Sequence, residues 1–276
     1  MSLPPSAAQA TALVTGASAG IGRELARGLA SRGHGVTLVA RRADRLKALA
    51  CELAERHGIR AEAIAADLSD ASERERVATE IDGRGLTVEI LVNNAGFGIY
   101  RPFADSTRER ELEQVRLLVE AVVDFDARYV PGMVERGRGA VVNIASTAGF
   151  QPLPGNGTYS ASKSFVLFHT EALHEELRGS GVTVTAVCPG PVETEFQETS
   201  EPLFMEGMPK QIQRGPEQIA AEALEAVERG KRTVVPGGVA VRAFFGPNRV
   251  APAALTLPVA RRVMARELRR ARHGSS

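Results

Sequence analysis

A short apolar run from Thr11 to Thr15 breaks into Gly16, Ala17, Ser18, Ala19, Gly20, Ile21 and Gly22, and a helical stretch follows over about 23–31. This order of strand, glycine turn and helix limits the fold more than any other feature. It places backbone N–H groups and the positive end of a helix where a pyrophosphate can sit. Glycines let the backbone turn tightly and approach the ligand closely. The spacing is Gly-x-x-x-Gly-x-Gly, not the commoner Gly-x-Gly-x-x-Gly. Its place after a strand and before a helix still meets the condition that gives such a motif meaning.

The alternation continues along the chain. Further strands are predicted at 35–40, 61–66, 89–92, 140–145, 182–187 and 233–235, and helices at 44–57, 71–81, 107–135, 158–178 and 216–229. This pattern predicts an α/β fold: a single-domain, Rossmann-like, doubly wound parallel sheet with helices on both faces. Ligands of such sheets lie across the C-terminal ends of the strands. Residues 1–10 read as a loose arm, 11–245 as the nucleotide-binding catalytic domain, and 246–276 as a Pro-punctuated segment ending in a basic helix. No internal repeat is present.

The predicted strand ends carry the chemistry. Arg41 and Arg42 follow the second strand, where an acidic residue would favour a free ribose 2′-hydroxyl and arginine suits a 2′-phosphate. The pair points to NADP(H). Asp67, followed by Leu68, ends the third strand and can bond an adenine or cap the next helix. The fourth runs into Asn93, Asn94, Ala95 and Gly96, small and amide residues that suit a backbone lying under a ligand and also form ordinary turns. The fifth delivers Ser146, and the sixth ends in Cys188, Pro189, Gly190, Pro191, Val192, Glu193 and Thr194.

Tyr159 and Lys163 stand four apart on a predicted helix, so they share a face. A cation near a phenol lowers its pKa from ~10, which makes the pair a candidate general acid, with Ser146 placed to hold the oxygen that receives the proton.

Lys and Arg number 34 against 33 Asp and Glu, a balance that offers no general attraction to nucleic acid or to an anionic membrane and favours small-molecule partners. Cys51 and Cys188 suggest neither a disulfide framework nor a C-x-x-C site, and His169 and His174 lack the H-E-x-x-H spacing of a zinc site. No metal site is expected. The first ten residues lack the basic and apolar regions of a leader, and no run approaches ~18 apolar residues, so we expect a cytoplasmic protein with no membrane-spanning segment.

Two stretches stay open. Residues 195–215 read as an irregular loop whose Phe196, Leu203, Phe204, Met205 and Met208 either close over an apolar substrate or tuck into the core. The last predicted helix, about 259–272, carries six arginines around Val263, Met264 and Leu268, and suits packing on its own domain, a subunit contact or a membrane surface.

Together the motifs resemble those of the short-chain dehydrogenase/reductase family: Thr15 to Gly22, Asp67-Leu68, Asn93 to Gly96, Ser146, Tyr159-x-x-x-Lys163 and Pro189 to Thr194. The resemblance implies that Tyr159 protonates a carbonyl oxygen as nicotinamide delivers hydride. It implies that Lys163 lowers the Tyr159 pKa and holds the nicotinamide ribose, that Ser146 bonds the substrate oxygen, and that Pro189 to Thr194 hold the carboxamide. It also implies a homodimer or homotetramer built through the two long helices. One part of the pattern is missing. Family members usually carry an asparagine on the long helix that holds a proton-relaying water, yet no asparagine occurs from Phe97 to Val142, and Leu118 stands at the equivalent position. An apolar side chain cannot hold that water. The expected activity is reduction of an apolar, fairly large ketone or aldehyde by NADPH. The alternative is a nucleotide-binding sensor or scaffold with weak catalysis.

Overall fold

The computed structural model describes residues 3–192 and 214–262. Seven parallel strands form one sheet: β1 (Ala10–Thr15), β2 (Val36–Ala40), β3 (Ala61–Ala65), β4 (Thr87–Asn93), β5 (Gly139–Ile144), β6 (Val182–Val187) and β7 (Thr233–Val234), in the order β3-β2-β1-β4-β5-β6-β7. The direction of winding reverses between β1 and β4. A crevice opens there at the strands' C-terminal ends, the place where doubly wound sheets bind ligands.

Side chains alternate across each strand and so feed two cores. From β1, Ala12 and Val14 enter the first core, with α1 (Gly20–Ala30), α2 (Ala43–His57) and α7 (Pro216–Glu228) covering that face through Leu25, Leu29, Leu46, Leu53, Ala223 and Leu224. Leu13 points the other way, into a core closed by Val77 and Ile81 of α3 (Ala71–Gly83) and by Phe125 and Met133 of α5 (Ala121–Glu135). Burying one such leucine contributes about 1.5–3 kcal/mol. The sequence thus predicts the parallel sheet with helices on both faces.

The predicted helix 107–135 is not one helix. It divides into α4 (Arg108–Val115), a wider π turn over Arg116–Glu120, and α5, and Leu118 sits in that π turn. Such π turns are rare, single-turn features inside α-helices, and reading 107–135 as one continuous helix does not allow for one. The expected loose arm also differs: Leu3 packs against the first core and Pro4 is buried. α6 (Gly157–Glu176) carries the tyrosine and lysine, and α8 (Gly238–Phe245) packs Val241 and Phe245 near them. The last helix begins earlier than predicted, with 253–262 helical; the rest of the predicted span, 263–272, lies outside the described residues. Among the described residues, no helix is long and apolar enough to cross a membrane.

Candidate active site

The glycine turn is held open for a ligand. Gly16 has φ +67°, and a Cβ there would lie 2.9 Å from the Ala95 Cα, so the two strand-end loops touch backbone to backbone. α1 begins at Ala19 with no side-chain cap and no acidic residue in its first turn. Its first N–H groups therefore have no anionic side chain to satisfy them, as a phosphate-binding helix end requires. Arg42 Nε and Nη2 donate to Ser18 Oγ at 3.2 and 3.0 Å, which sets a guanidinium over the turn. Arg41 is exposed beside it, and Gly20, Ile21 and Gly22 form the first turn of α1.

The neighbouring strand ends divide their work differently from the expectation. The Asp67 carboxylate accepts from Ser69 N and Oγ, while α3 is capped by Asp70, so Asp67 is not a helix cap. Leu68 buries its side chain in the second core, and its carbonyl oxygen accepts from Arg74 Nη1 at 3.0 Å. The Asn93 side chain does not reach the crevice. It donates to Asp126 Oδ1 and Asn143 Oδ1, both at 2.9 Å, inside the protein. Asn143 Nδ2 in turn donates to Asp126 Oδ2 and Thr170 Oγ1, and His169 Nε2 lies 3.1 Å from the same carboxylate oxygen. Every member of this network is satisfied by another, which is what permits a carboxylate so deep in the fold. The side chain that serves the turn is Asn94, whose Nδ2 donates to Thr15 O, while the Asn94 and Ala95 N–H groups donate to Thr15 Oγ1. Nothing in the sequence distinguishes the two asparagines.

Ser146, Tyr159 and Lys163 converge. The Ser146 hydroxyl stands close enough to the Tyr159 phenol to ease its pKa downward, and it accepts from Ala148 N at 3.1 Å. Two contacts set this placement. The turn Thr147–Phe150 lies directly on α6, where a Cβ on Gly149 would be 2.7 Å from the Lys163 carbonyl carbon. Thr147 N donates to Pro189 O at 2.9 Å, which ties the turn to the end of β6. Gly190 and Val192 follow, Val192 bridging to Arg214; Thr194 and most of the 195–215 loop lie outside the described residues.

The electrostatics correct one expectation. Lys163 does not bring the Tyr159 pKa down: burial pushes the phenol well above its ordinary value, and the nearby Tyr100 phenol adds to the rise. Lys163 is itself buried and lowered to about 8. Its Nζ donates to Ile144 O at 2.6 Å and stands 5.9 Å from the Tyr159 ring centre. Desolvation disfavours the charged form of both groups and is the largest cause of each shift. Tyr159 is thus a protonated donor at neutral pH.

Leu118 lies where the missing asparagine was expected. It is 1% exposed, and a Cβ on Gly96 would be 2.7 Å from Leu118 Cδ2 and 3.9 Å from Lys163 Nζ. An apolar side chain therefore closes the space behind the lysine. Among the described residues, no group of acidic, histidine and cysteine side chains could hold a metal ion. His174 bonds Val184 O, and Cys51 and Cys188 are free thiols, one exposed and one buried.

Known proteins resemble this chain in sequence and fold. The very-long-chain 3-oxoacyl-CoA reductase of Anas platyrhynchos is 35% identical over 210 residues, covering 73% of this chain and 65% of that protein. The chain thus spans slightly less than two thirds of that relative's length. A short-chain dehydrogenase from Sphingobium yanoikuyae in complex with NADPH superposes with a TM-score of 0.75 at 36% identity, covering 87% of this chain and 93% of that one. The bulky-bulky ketone specific alcohol dehydrogenase from Comamonas testosteroni gives 0.73 at 31% identity, covering 85% and 89%. The sequence pattern of the short chain dehydrogenases matches residues 10–202, and with that match over most of its length the chain belongs to the short-chain dehydrogenase family of oxidoreductases.

Proposed function

We propose that the protein is an NADP(H)-dependent carbonyl reductase that acts on an apolar, fairly large ketone or aldehyde, with oxidation of a secondary alcohol as the reverse reaction. The convergence of Ser146, Tyr159 and Lys163 carries this reading. When bound, the nicotinamide supplies the hydride. Tyr159 donates its proton to the carbonyl oxygen, and Ser146 holds that oxygen in line. Burial keeps the Tyr159 phenol in its protonated form, the form that reduction requires of it.

The uncapped α1 terminus and the turn at Gly16 fit a pyrophosphate, and the Arg42 guanidinium on Ser18 fits a ribose 2′-phosphate. Ala95, Gly96, Pro189, Gly190 and Val192 would line the nicotinamide end. A homodimer or homotetramer would cover Phe165 and Phe168 of α6 and Val115 and Val123 of the facing helices, all exposed in the single chain.

A screen of ketones, aldehydes and hydroxysteroids for NADPH oxidation tests the activity, with Tyr159→Phe as control. Turnover falling about 100-fold or more in the variant, with NADPH binding kept, supports Tyr159 as the acid. Equal turnover in the two proteins would falsify that role. Leu118 behind the lysine favours a second reading, a nucleotide-binding sensor with weak catalysis, which predicts NADPH binding without turnover on any member of the screen.

A further inference from the structure

Arg74 stands on α3 with its side chain 2% exposed, and its guanidinium reaches three elements at once. Nη1 donates to Leu68 O at 3.0 Å, in the loop after β3, and Nε donates to Asp124 Oδ2 at 2.6 Å, on α5. Nη2 donates to Glu120 Oε1, and Glu120 is the last residue of the π turn. A guanidinium this deep needs its carboxylates. The planar fork of arginine holds all three directions together, which the single ammonium of a lysine does not. The π turn is the unusual partner, because such turns are rare and gather at functional sites. Two residues before Glu120 comes Leu118, 1% exposed, whose Cδ2 abuts Gly96 behind Lys163. One buried side chain thus joins the Asp67–Leu68 loop, the expected adenine contact, to the wall behind the lysine.

We propose that Arg74 is a positioning residue that couples the adenine end of the cofactor to the π turn, so that filling the crevice beside Leu68 steadies Leu118 behind Lys163. It acts through Leu68 on one side and through Glu120 on the other. Glu120 is 53% exposed, so water can take the place of Arg74 there and the turn can loosen without unfolding the core. Asp124 shares the same guanidinium but lies in α5, beyond the π turn, and supplies a comparison that separates coupling from stability. The inference rests on the NADP(H) reading above and is independent of the substrate.

Hydrogen exchange read by mass spectrometry on the full chain, with and without NADPH, tests it. In the unmodified protein NADPH is expected to slow exchange about threefold or more both at 66–70 and at 116–120. Glu120→Gln should keep the slowing at 66–70 and lose it at 116–120. Asp124→Asn, which also takes a carboxylate from Arg74, should lower the melting temperature and keep the slowing at both places. Arg74→Lys should raise the Kd for NADPH about threefold or more and uncouple the two segments; Glu120→Gln carries the test alone should Arg74→Lys not fold. Slowing at 116–120 that survives in Glu120→Gln, that is absent from the unmodified protein, or that is lost equally in Asp124→Asn overturns the coupling and leaves the cofactor reading intact. An unmodified protein that binds no NADPH overturns both.

Discussion

Asn94 and Thr15 are joined twice: Asn94 Nδ2 donates to the Thr15 carbonyl oxygen at 2.9 Å, and Asn94 N donates to the Thr15 hydroxyl, also at 2.9 Å. The bonds cross from the end of β4 to the end of β1, where the winding of the sheet reverses. They hold the glycine turn against the loop that follows β4. Replacing Asn94 with Ala leaves the Thr15 carbonyl without that donor, at a cost of about 1–3 kcal/mol. NADPH affinity, measured by fluorescence titration, should fall about tenfold or more; an unchanged Kd would show that the turn needs no such tie.

On the proposed NADP(H) assignment, Arg42→Ala would remove a charge-assisted contact to a 2′-phosphate, worth about 1.5–3 kcal/mol. The KM for NADPH should rise about tenfold or more while that for NADH barely moves. Equal catalytic efficiency with the two cofactors in the unmodified protein would remove the basis for naming NADP.

Lys163 titrates at about 8, so it loses its charge as pH rises through that value. Tyr159 is shifted the other way and stays protonated. The profile of kcat/KM for NADPH in reduction should be level through neutrality and decline above about pH 8, whereas alcohol oxidation, which needs the phenolate, should improve with rising pH. A decline that begins only near the ordinary lysine value would contradict the buried lysine as its source.

Leu118→Asn puts an amide into a sealed apolar space beside Gly96. Stability should fall by about 1–3 kcal/mol, read as a lower melting temperature, because part of the amide's bonding capacity goes unmet. Turnover should rise as water gains a place behind Lys163. If turnover holds or falls while the fold is kept, proton supply does not limit this protein.

Asp126→Ala strands the amides of Asn93 and Asn143 in the interior. The loss should reach about 3 kcal/mol or more, beyond that of an exposed carboxylate, because several buried partners lose their acceptor together. Chemical denaturation measures it. A change of a few tenths of a kcal/mol would mean that water replaces the carboxylate.

Seven strands, the two helical layers, the glycine turn and the Ser146–Tyr159–Lys163 set were legible from periodicity and spacing, because each depends on neighbours a few residues away. Other features were not. Asn93 and Asn94 are chemically the same and adjacent, yet side chains alternate along a strand, so one enters the core and the other reaches the turn. The choice depends on the β1–β4 register, in which Val14 pairs with Val92. The π turn at Leu118 lies within a stretch whose apolar spacing reads as one helix, and the Arg74–Glu120 ion pair joins residues 46 apart in the chain.

By itself, then, the sequence determined the alternation of elements, the glycine turn between the first strand and helix, and the presence of a tyrosine, a lysine and a serine at strand and helix ends. Only the tertiary structure decided how those groups behave. Four residues of helix place Lys163 beside Tyr159 and argue for a lowered phenol pKa, but the packed surroundings strip water from both, and desolvation depends on every element that closes over them. The same surroundings reduce the gap behind the lysine to a dry contact between Leu118 and Gly96. Local spacing puts groups near one another; burial sets their protonation.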